Sequence, residues 1–415
     1  ARRYSQTENK RLAIMRAATI IRKSLSFPKR LHHRVSKGIR NQTRRLATST
    51  AIETTIPESM RAVVVTPPEG VDEKGRPRRP SPDALTLSST VPTPKVGPEE
   101  VLIKVEAAGI NRPDVLQRMG LYPPPPGHSD ILGLEVAGTI VAVGDKVPPG
   151  SIQSSPSSSY LEIGARVLAL ANGGGYSEYC AVPYGQCLPI PENMNMITAG
   201  CVAETYFTVW HNLFQQSNIF GEHLQRGDSI LIHGGTSGIG STAIQMAKAF
   251  DITVYASAGS QEKCKACLDF GAEKAINYKT EDFVERINEL TGGKGVNLVL
   301  DMVSGPYLPK NLEVLAVGGR LAIIGSLGGV RSEINMRNVM RRRLTIAGST
   351  LRARNSAVKA SIAAELREHV WPLLKDETMK IRIDTVFDMS EASKAHSLME
   401  SNAHIGKIAL TWQHL

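Results

Sequence analysis

The chain has 415 residues, of which 41% are hydrophobic and 21% are charged. This length predicts two or three domains, and the composition is ample for a buried core. No apolar run approaches the ~18 residues of a spanning helix, so we predict no membrane span. The formal net charge is +10, yet residues 51–415 hold 35 basic and 38 acidic residues. A nearly neutral body excludes a bulk nucleic-acid-binding surface.

The excess positive charge lies at the N-terminus. Residues 1–50 hold 14 basic residues and one acid, and they are rich in Ser, Thr and Ala, which is typical of an organelle transit peptide. From Met15, the run MRAATIIRKSLSF places apolar residues on one helical stripe among cations, and RRLATST (44–50) looks like a processing region. We expect residues 1–57 to be a transit peptide or a retained basic arm, and we expect a location in the mitochondrial matrix. A disordered basic tail with another binding role is the alternative.

Short strand-like runs separated by turn residues predict a mostly antiparallel β domain over residues 58–195. The runs are MRAVVVTPP (60–68), EVLIKVEAAGI (100–110), LEVAGTIVAVG (134–144), ARVLAL (165–170) and YSEYCAV (176–182). Two Pro-rich stretches, 69–83 and 146–160, have no apolar periodicity and are predicted to be surface loops.

Strands and helices alternate over residues 196–351, which predicts a doubly wound parallel sheet covered by helices. Strand 229–233 leads into helix 238–250, and strand ITVYAS leads into helix 260–270. The ligand of such a sheet lies at the carboxyl ends of the strands. Residues 352–415 begin with a helical stretch and end with a strand–helix–strand unit, which we expect to return to the β domain. The predicted fold class is therefore α/β.

The stretch SILIHGGTSGIGSTAIQMAKAF (229–250) has the order strand, glycine turn, helix, which is typical of a phosphate-binding loop. Glycines at 235, 238 and 240 let the backbone turn tightly and approach a pyrophosphate, while the helix start offers free N–H groups. The spacing is not the plain G-x-G-x-x-G. A tight turn without a ligand is the alternative.

The end of strand ITVYAS (252–257), the strand after the glycine-rich stretch, favours NADPH over NADH. An NAD site usually has an acid there that accepts from the ribose 2′-hydroxyl. This chain instead has Ser260 and Lys263 in AGSQEK, and a hydroxyl and a cation suit a 2′-phosphate. Tyr278 and Lys279 could close the same pocket. A solvated helix charge is the alternative for Lys263.

The cysteines do not predict a metal site. Of the five, only Cys264 and Cys267 form a C-x-x-C, within a predicted helix. A structural zinc site needs four ligands, usually from two such pairs. We expect ordinary helix cysteines.

From about Met60 to its end, the chain resembles the medium-chain dehydrogenase/reductase superfamily, and within it the zeta-crystallin-like NADPH:quinone oxidoreductases. The motifs that carry the resemblance are AAGINRPDVLQRMGLYPPPPG, ILGLEVAGTIVAVG, LIHGGTSGIGSTAIQMAK, AGSQEK, GAEKAINYKTEDF, VNLVLD and NAHIGKIAL. The resemblance implies a GroES-like catalytic domain (58–195, completed by 352–415) and a Rossmann NADPH-binding domain (196–351). The active site would lie in the cleft between them. We also expect a homodimer and consider association with a large mitochondrial complex.

The resemblance also assigns roles to single residues. Asn111 would touch the nicotinamide ribose, Tyr122 would stand beside the substrate, and Thr208 would contact the cofactor near the nicotinamide. The remaining cofactor-binding residues would be Gly235, Gly238, Ile239 and Gly240 at the pyrophosphate, Ser260, Lys263 and Tyr278 at the 2′-phosphate, and Gly325 and Lys407 along the cofactor. One departure is TAGCVAETYFTVW, where the family often has an apolar Ala/Pro run before the acid that matches Glu204.

Zinc-dependent relatives need a Cys where Asn111 stands and a His where Leu134 stands. Without such a Lewis acid, alcohol oxidation is disfavoured, and hydride delivery from NADPH to a quinone or an activated alkene remains. Tyr122 could give a hydrogen bond or proton to the acceptor, or it could be a hydrophobic lid residue. The alternatives are a mitochondrial 2-enoyl thioester reductase and a non-catalytic NADPH-binding subunit of a mitochondrial assembly.

Overall fold

The computed structural model describes residues 56–148, 161–215 and 224–413. Residues 54–415 form one compact unit, and the predicted basic arm lies almost wholly outside the described residues. Most of the second Pro-rich stretch also lies outside them. In the described ranges, no helix has both the length and the apolar character needed to cross a membrane.

The strands fall into three sheets. They are β1 (Ser59–Val65), β2 (Leu85–Pro92), β3 (Glu100–Ile110), β4 (Glu135–Val143), β5 (Arg166–Leu170), β6 (Tyr179–Pro183), β7 (Cys187–Pro189), β8 (Ser229–Ile232), β9 (Thr253–Ala258), β10 (Lys274–Asn277), β11 (Val296–Asp301), β12 (Leu315–Ile323), β13 (Thr345–Gly348), β14 (Ile383–Asp388) and β15 (Lys407–Thr411).

The α-helices lie between these strands and after them. They are α1 (Arg112–Arg118), α2 (Met196–Ala199), α3 (Ala203–Trp210), α4 (Gly238–Ala249), α5 (Gln261–Phe270), α6 (Phe283–Thr291), α7 (Tyr307–Val314), α8 (Met336–Arg342), α9 (Ser356–His369), α10 (Trp371–Lys375) and α11 (Ala392–Ser401). A π-helical turn, His211–Gln215, continues α3.

The GroES-like domain is built on a seven-stranded sheet in the order β14-β15-β3-β4-β5-β7, with β6 also paired to β3. All its pairs are antiparallel except β14 with β15. Strand β3 pairs with three neighbours, which explains why it is buried along most of its length. Strand β15 lies between β14 and β3, so the C-terminal tail is an interior strand of this sheet.

The second domain is a parallel six-stranded sheet in the order β10-β9-β8-β11-β12-β13. Its central strands β8 and β11 read as apolar runs because helices cover both faces of a parallel sheet. The predicted α/β class, with a GroES-like domain and a Rossmann domain, is confirmed. Some elements were not predicted, since they are short or lack a clear period: strands β2, β7 and β13 and helices α1, α2, α3 and α8.

Candidate active site

The glycine turn follows β8 and opens into α4. Ser237 caps the helix by accepting a hydrogen bond from the N–H of Gly240 at 3.0 Å. A Cβ on Gly240 would lie 2.2 Å from the carbonyl oxygen of Gly234, so only glycine fits there. No described residue accepts from the N–H groups of Gly238 and Ile239, as is usual in the first turn of a helix. These two groups can therefore bind an anion at the helix start.

The residues predicted for the 2′-phosphate lie together beyond the carboxyl ends of β9 and β10. Ser260 caps α5 by accepting from the N–H of Lys263, and the Lys263 ammonium donates to the carbonyl of Asn402. Tyr278 lies over Gly259, where a Cβ would meet the tyrosine hydroxyl at 2.5 Å, and the tyrosine is 44% exposed. Burial lowers the pKa of Lys263 from its usual value. A hydroxyl, a phenol and a cation thus lie near one another beyond the strand ends.

Two predicted site residues, Lys407 and Asn111, contact the buried carboxylate of Glu135, which the sequence analysis did not single out. The Lys407 ammonium lies 2.6 Å from Glu135 Oε1 and 2.6 Å from Asn111 Oδ1. The Asn111 amide also donates to Glu135 Oε1 at 2.9 Å. The lysine and glutamate side chains are 4% and 0% exposed. Burial would lower the pKa of Lys407, but the Glu135 carboxylate outweighs it and holds that pKa above its usual value.

Glu135 also holds the start of α3, because its Oε2 accepts from the backbone N–H of Glu204 at 2.9 Å. Asn111 and Lys407 were predicted to contact the cofactor. The structure places their side chains in contact with each other, close to Gly238. A Cβ on Gly238 would lie 2.6 Å from Lys407 Cδ. The sequence signal for Glu135 is a single acid at the start of an otherwise apolar strand.

A cavity of about 340 Å³ lies between the GroES-like domain and the carboxyl edge of the parallel sheet. It brings together three of the predicted residues, Tyr122, Thr208 and Gly325. Its other lining residues are Pro113, Leu116, Leu121, Leu134, Leu170, Ala171, Asn172, Glu204, Ile324, Ser326, Ser349, Thr350, Leu351, Arg352 and Lys359. A wider groove of about 620 Å³, which includes Glu106 and Arg166, contains none of the predicted residues. We therefore take the smaller cavity as the candidate acceptor site.

Charged groups stand in the largely apolar lining of this cavity. Burial raises the pKa of Glu204 to about 7, with Lys407 opposing the rise. Burial also raises the pKa of Tyr122, against the effect of nearby Arg352. The Arg352 guanidinium donates to the Tyr122 carbonyl at 3.3 Å and lies 5.5 Å from the centre of its ring. Arg352 and Lys359 had no clear sequence signal, because they lie at the start of a stretch that reads simply as helix.

Asn111 and Leu134 stand where the family resemblance implies zinc ligands in zinc-dependent enzymes, and neither side chain ligates zinc as a Cys or a His does. Cys264 and Cys267 lie on α5 as free, buried thiols. Across 56–148, 161–215 and 224–413, no group of three or more His, Cys, Asp or Glu side chains could hold a metal ion.

A parallel sheet with a glycine turn, facing a GroES-like sheet across a cleft, is the architecture of a medium-chain dehydrogenase/reductase. Two family models match the chain: the alcohol dehydrogenase GroES-like domain over residues 97–192 and the zinc-binding dehydrogenase over residues 238–368.

Curated relatives and solved structures narrow this class. The quinone oxidoreductase of Rattus norvegicus is 30% identical over 334 residues, which cover 79% of this chain and 94% of the rat protein. The crystal structure of a quinone oxidoreductase from Pseudomonas syringae pv. Tomato DC3000 matches with a TM-score of 0.69 and 26% identity, over 85% of this chain and 99% of that one. A mycobacterial structure complexed with NADPH matches with a TM-score of 0.68 and 27% identity, over 85% and 100%. The chain belongs to the zeta-crystallin-like quinone oxidoreductases of the medium-chain dehydrogenase/reductase superfamily.

Proposed function

We propose that the protein transfers a hydride from NADPH to a quinone or a related activated acceptor without the help of zinc. The observation that carries the proposal is the cavity of about 340 Å³, in which Tyr122, Thr208 and Gly325 meet between the two domains. Its volume suits one flat ring system, and its walls are mostly apolar.

The cofactor prediction is supported by the family and by the fit of the residues. When bound, NADPH supplies the hydride and its two electrons. The N–H groups of Gly238 and Ile239 would hold the pyrophosphate at the start of α4. Ser260, Lys263 and Tyr278 would hold the 2′-phosphate, and the absence of an acid at the strand tip avoids repulsion of its charge.

Zinc independence follows from what the acceptor needs. Oxidation of an alcohol requires a group that stabilises the developing alkoxide, which zinc provides in metal-dependent enzymes. A quinone carbonyl is already electrophilic, so orientation and exclusion of water are enough. Asn111 and Leu134, at the two ligand positions, fit this simpler requirement.

Tyr122 would orient the acceptor. Its carbonyl is held by Arg352 and its ring lies beside the guanidinium, so its position in the cavity is fixed. Its raised pKa makes the phenol a poor acid but leaves it able to donate a hydrogen bond.

The deciding experiment measures NADPH oxidation by the purified full chain with an ortho-quinone, a para-quinone and an enoyl thioester side by side. We expect turnover with at least one quinone and slower turnover with NADH. Turnover of the thioester alone would favour the enoyl reductase alternative, and NADPH binding without any turnover would favour the non-catalytic subunit.

Two variants test the role of Tyr122 in the same assay. If ring packing dominates, Tyr122→Phe keeps most of the activity and Tyr122→Ala loses it. If the hydroxyl acts, Phe falls about 2- to 13-fold, the value of one hydrogen bond. Parent rates in both variants would remove Tyr122 from the site.

We also propose that the protein works as a homodimer. Strand β13 is an edge strand of the six-stranded sheet, and large apolar side chains are exposed in β13 and in the segment 330–340 that precedes it. They are Val330 at 83%, Met336 at 65%, Met340 at 73% and Ile346 at 38% exposure. An edge strand with apolar neighbours favours pairing with a second chain.

The proposed location is the mitochondrial matrix, and it rests on the Arg-rich, acid-poor composition of residues 1–50. Fusion of residues 1–57 to a fluorescent protein tests it directly. Diffuse fluorescence outside mitochondria would contradict the assignment.

A further inference from the structure

Two cations, Arg352 and Lys359, line the acceptor cavity. They come from different elements, since Arg352 lies in the loop after β13 and Lys359 ends the first turn of α9. The arginine is 7% exposed and the lysine 1% exposed. Burying two positive charges side by side is costly unless a negative charge meets them.

The guanidinium of Arg352 is held by neutral acceptors. It donates to the carbonyl of Asn172 at 2.6 Å, to Gln117 Oε1 at 2.8 Å and to the carbonyl of Tyr122 at 3.3 Å. These bonds fix its orientation, but none of them neutralises its charge.

The ammonium of Lys359 is held in the same way. It donates to Asn172 Oδ1 at 2.5 Å and to the carbonyl of Arg352 at 2.8 Å. An ammonium has three N–H donors, so one donor remains for a ligand. Lys359 also stands near the start of α9, where the helix dipole disfavours a cation and favours an anion.

Within the described ranges, neither cation forms an ion pair with a carboxylate. Burial lowers the pKa of Arg352, and the Asp114 carboxylate opposes that fall without bonding to the guanidinium. Glu204 lines the same cavity but forms no ion pair with them. Burial and the charge of Arg352 together lower the pKa of Lys359 to about 8, which is the direction expected for an uncompensated cation.

We propose that Lys359 and Arg352 recognise a negatively charged group on the acceptor, so that the preferred substrate is a quinone or enone bearing a carboxylate or a sulfonate. This inference rests on the proposed function and specifies its substrate class. The apolar walls would hold the ring, and the two cations would bind the charged substituent and fix which edge of the ring faces the cofactor.

The kinetic test compares 1,2-naphthoquinone with 1,2-naphthoquinone-4-sulfonate, using NADPH and the full chain. Lys359→Met should lower kcat/KM for the sulfonate roughly 10- to 150-fold, the value of one charge-assisted hydrogen bond, mainly through KM. Because Lys359 is part of the cavity wall, the neutral quinone can also lose activity, so the readout is the ratio of the two kcat/KM values, sulfonate over neutral quinone. Lys359→Met should lower this ratio at least ~10-fold, and Lys359→Arg should restore most of it because it keeps the charge. The control is Lys375→Met, since Lys375 is an exposed lysine on α10. Equal losses for both quinones, or no loss for either, would overturn the inference.

A binding measurement separates failure of this inference from failure of the proposed function. Calorimetric titration with naphthalene-2-sulfonate and with naphthalene-2-methanol requires no turnover. The parent should bind the sulfonate at least 10-fold more tightly, and Lys359→Met should abolish that preference. Equal affinity of the parent for both compounds would refute the anion site even if the enzyme reduces quinones. If the protein prefers the sulfonate but reduces no quinone, the result would support the anion site and contradict the proposed reaction.

Discussion

Replacing Lys407 with methionine should strongly destabilise the fold, because it leaves the Glu135 carboxylate buried without a cation. Glu135 is 0% exposed and accepts from Lys407, from the Asn111 amide and from the backbone N–H of Glu204. After the substitution, two neutral donors remain for a full negative charge. Removal of one partner of a buried pair costs about 3–5 kcal/mol. We expect a loss of this size in the free energy of unfolding at pH 7.

The double variant distinguishes the charge from the packing. Glu135→Gln alone leaves the lysine buried and unpaired, so it should cost a similar amount. Combining Glu135→Gln with Lys407→Met removes both charges, and the loss should then be smaller than the sum of the single losses by about 2–3 kcal/mol. An additive result would show that the two side chains do not stabilise each other.

Urea unfolding followed by tryptophan fluorescence and by circular dichroism measures these differences. The control is Lys265→Met, because the Lys265–Asp269 pair is 76% and 59% exposed and should contribute about 1 kcal/mol or less. If Lys407→Met costs no more than this control, the buried pair is not a stabilising element and the reasoning fails.

Three further predictions concern the cofactor, pH and assembly. Lys263→Ala should weaken NADPH binding roughly 10-fold or more and leave NADH nearly unchanged, as followed by fluorescence titration; equal losses would contradict the 2′-phosphate assignment. Burial raises the pKa of Glu204 from 4.5 to about 7. Between these two pH values the folded chain keeps a proton that the unfolded chain releases. The free energy of unfolding of the parent therefore falls as pH rises from 4.5 to about 7. Glu204→Gln should therefore gain stability relative to the parent by up to roughly 1.4 kcal/mol per pH unit between pH 4.5 and 7, and then level off; a difference independent of pH in urea unfolding would refute the shift. Ile346→Asp should convert the dimer to a monomer in sedimentation velocity, and an unchanged dimer would place the interface elsewhere.

The parallel sheet was predictable because its signals are local. Strands β8 and β11 are apolar runs flanked by helices, and the glycine turn lies within one short stretch of the chain. The edge strand β13 reads TIAG, four residues with an exposed isoleucine, so it has neither the length nor the pattern that predicts a strand. Strand β2 alternates weakly among Ser and Thr for the same reason.

The sequence named candidate site residues one by one, and their roles stay predictions, but their contacts could not be predicted. Lys407 and Glu135 are 272 residues apart, and their pairing depends on the insertion of β15 between β14 and β3. No local pattern encodes that placement. The resemblance named Asn111 and Lys407 as separate cofactor-binding candidates. Arg352 became a candidate only from the structure, where its guanidinium contacts Tyr122.

The C-terminal tail contacts three regions of the proposed cofactor site. The Asn402 carbonyl accepts from Lys263 at the phosphate end, and the N–H of Gly406 donates to the carbonyl of Thr236 in the glycine turn at 2.8 Å. Lys407 then reaches the buried pair beside Asn111. Because β15 belongs to the seven-stranded sheet of the GroES-like domain, these contacts fix the position of one domain against the other along the proposed path of the cofactor. A shift of the tail would therefore change the phosphate end and the nicotinamide end together, so cofactor binding and domain alignment depend on the same short segment.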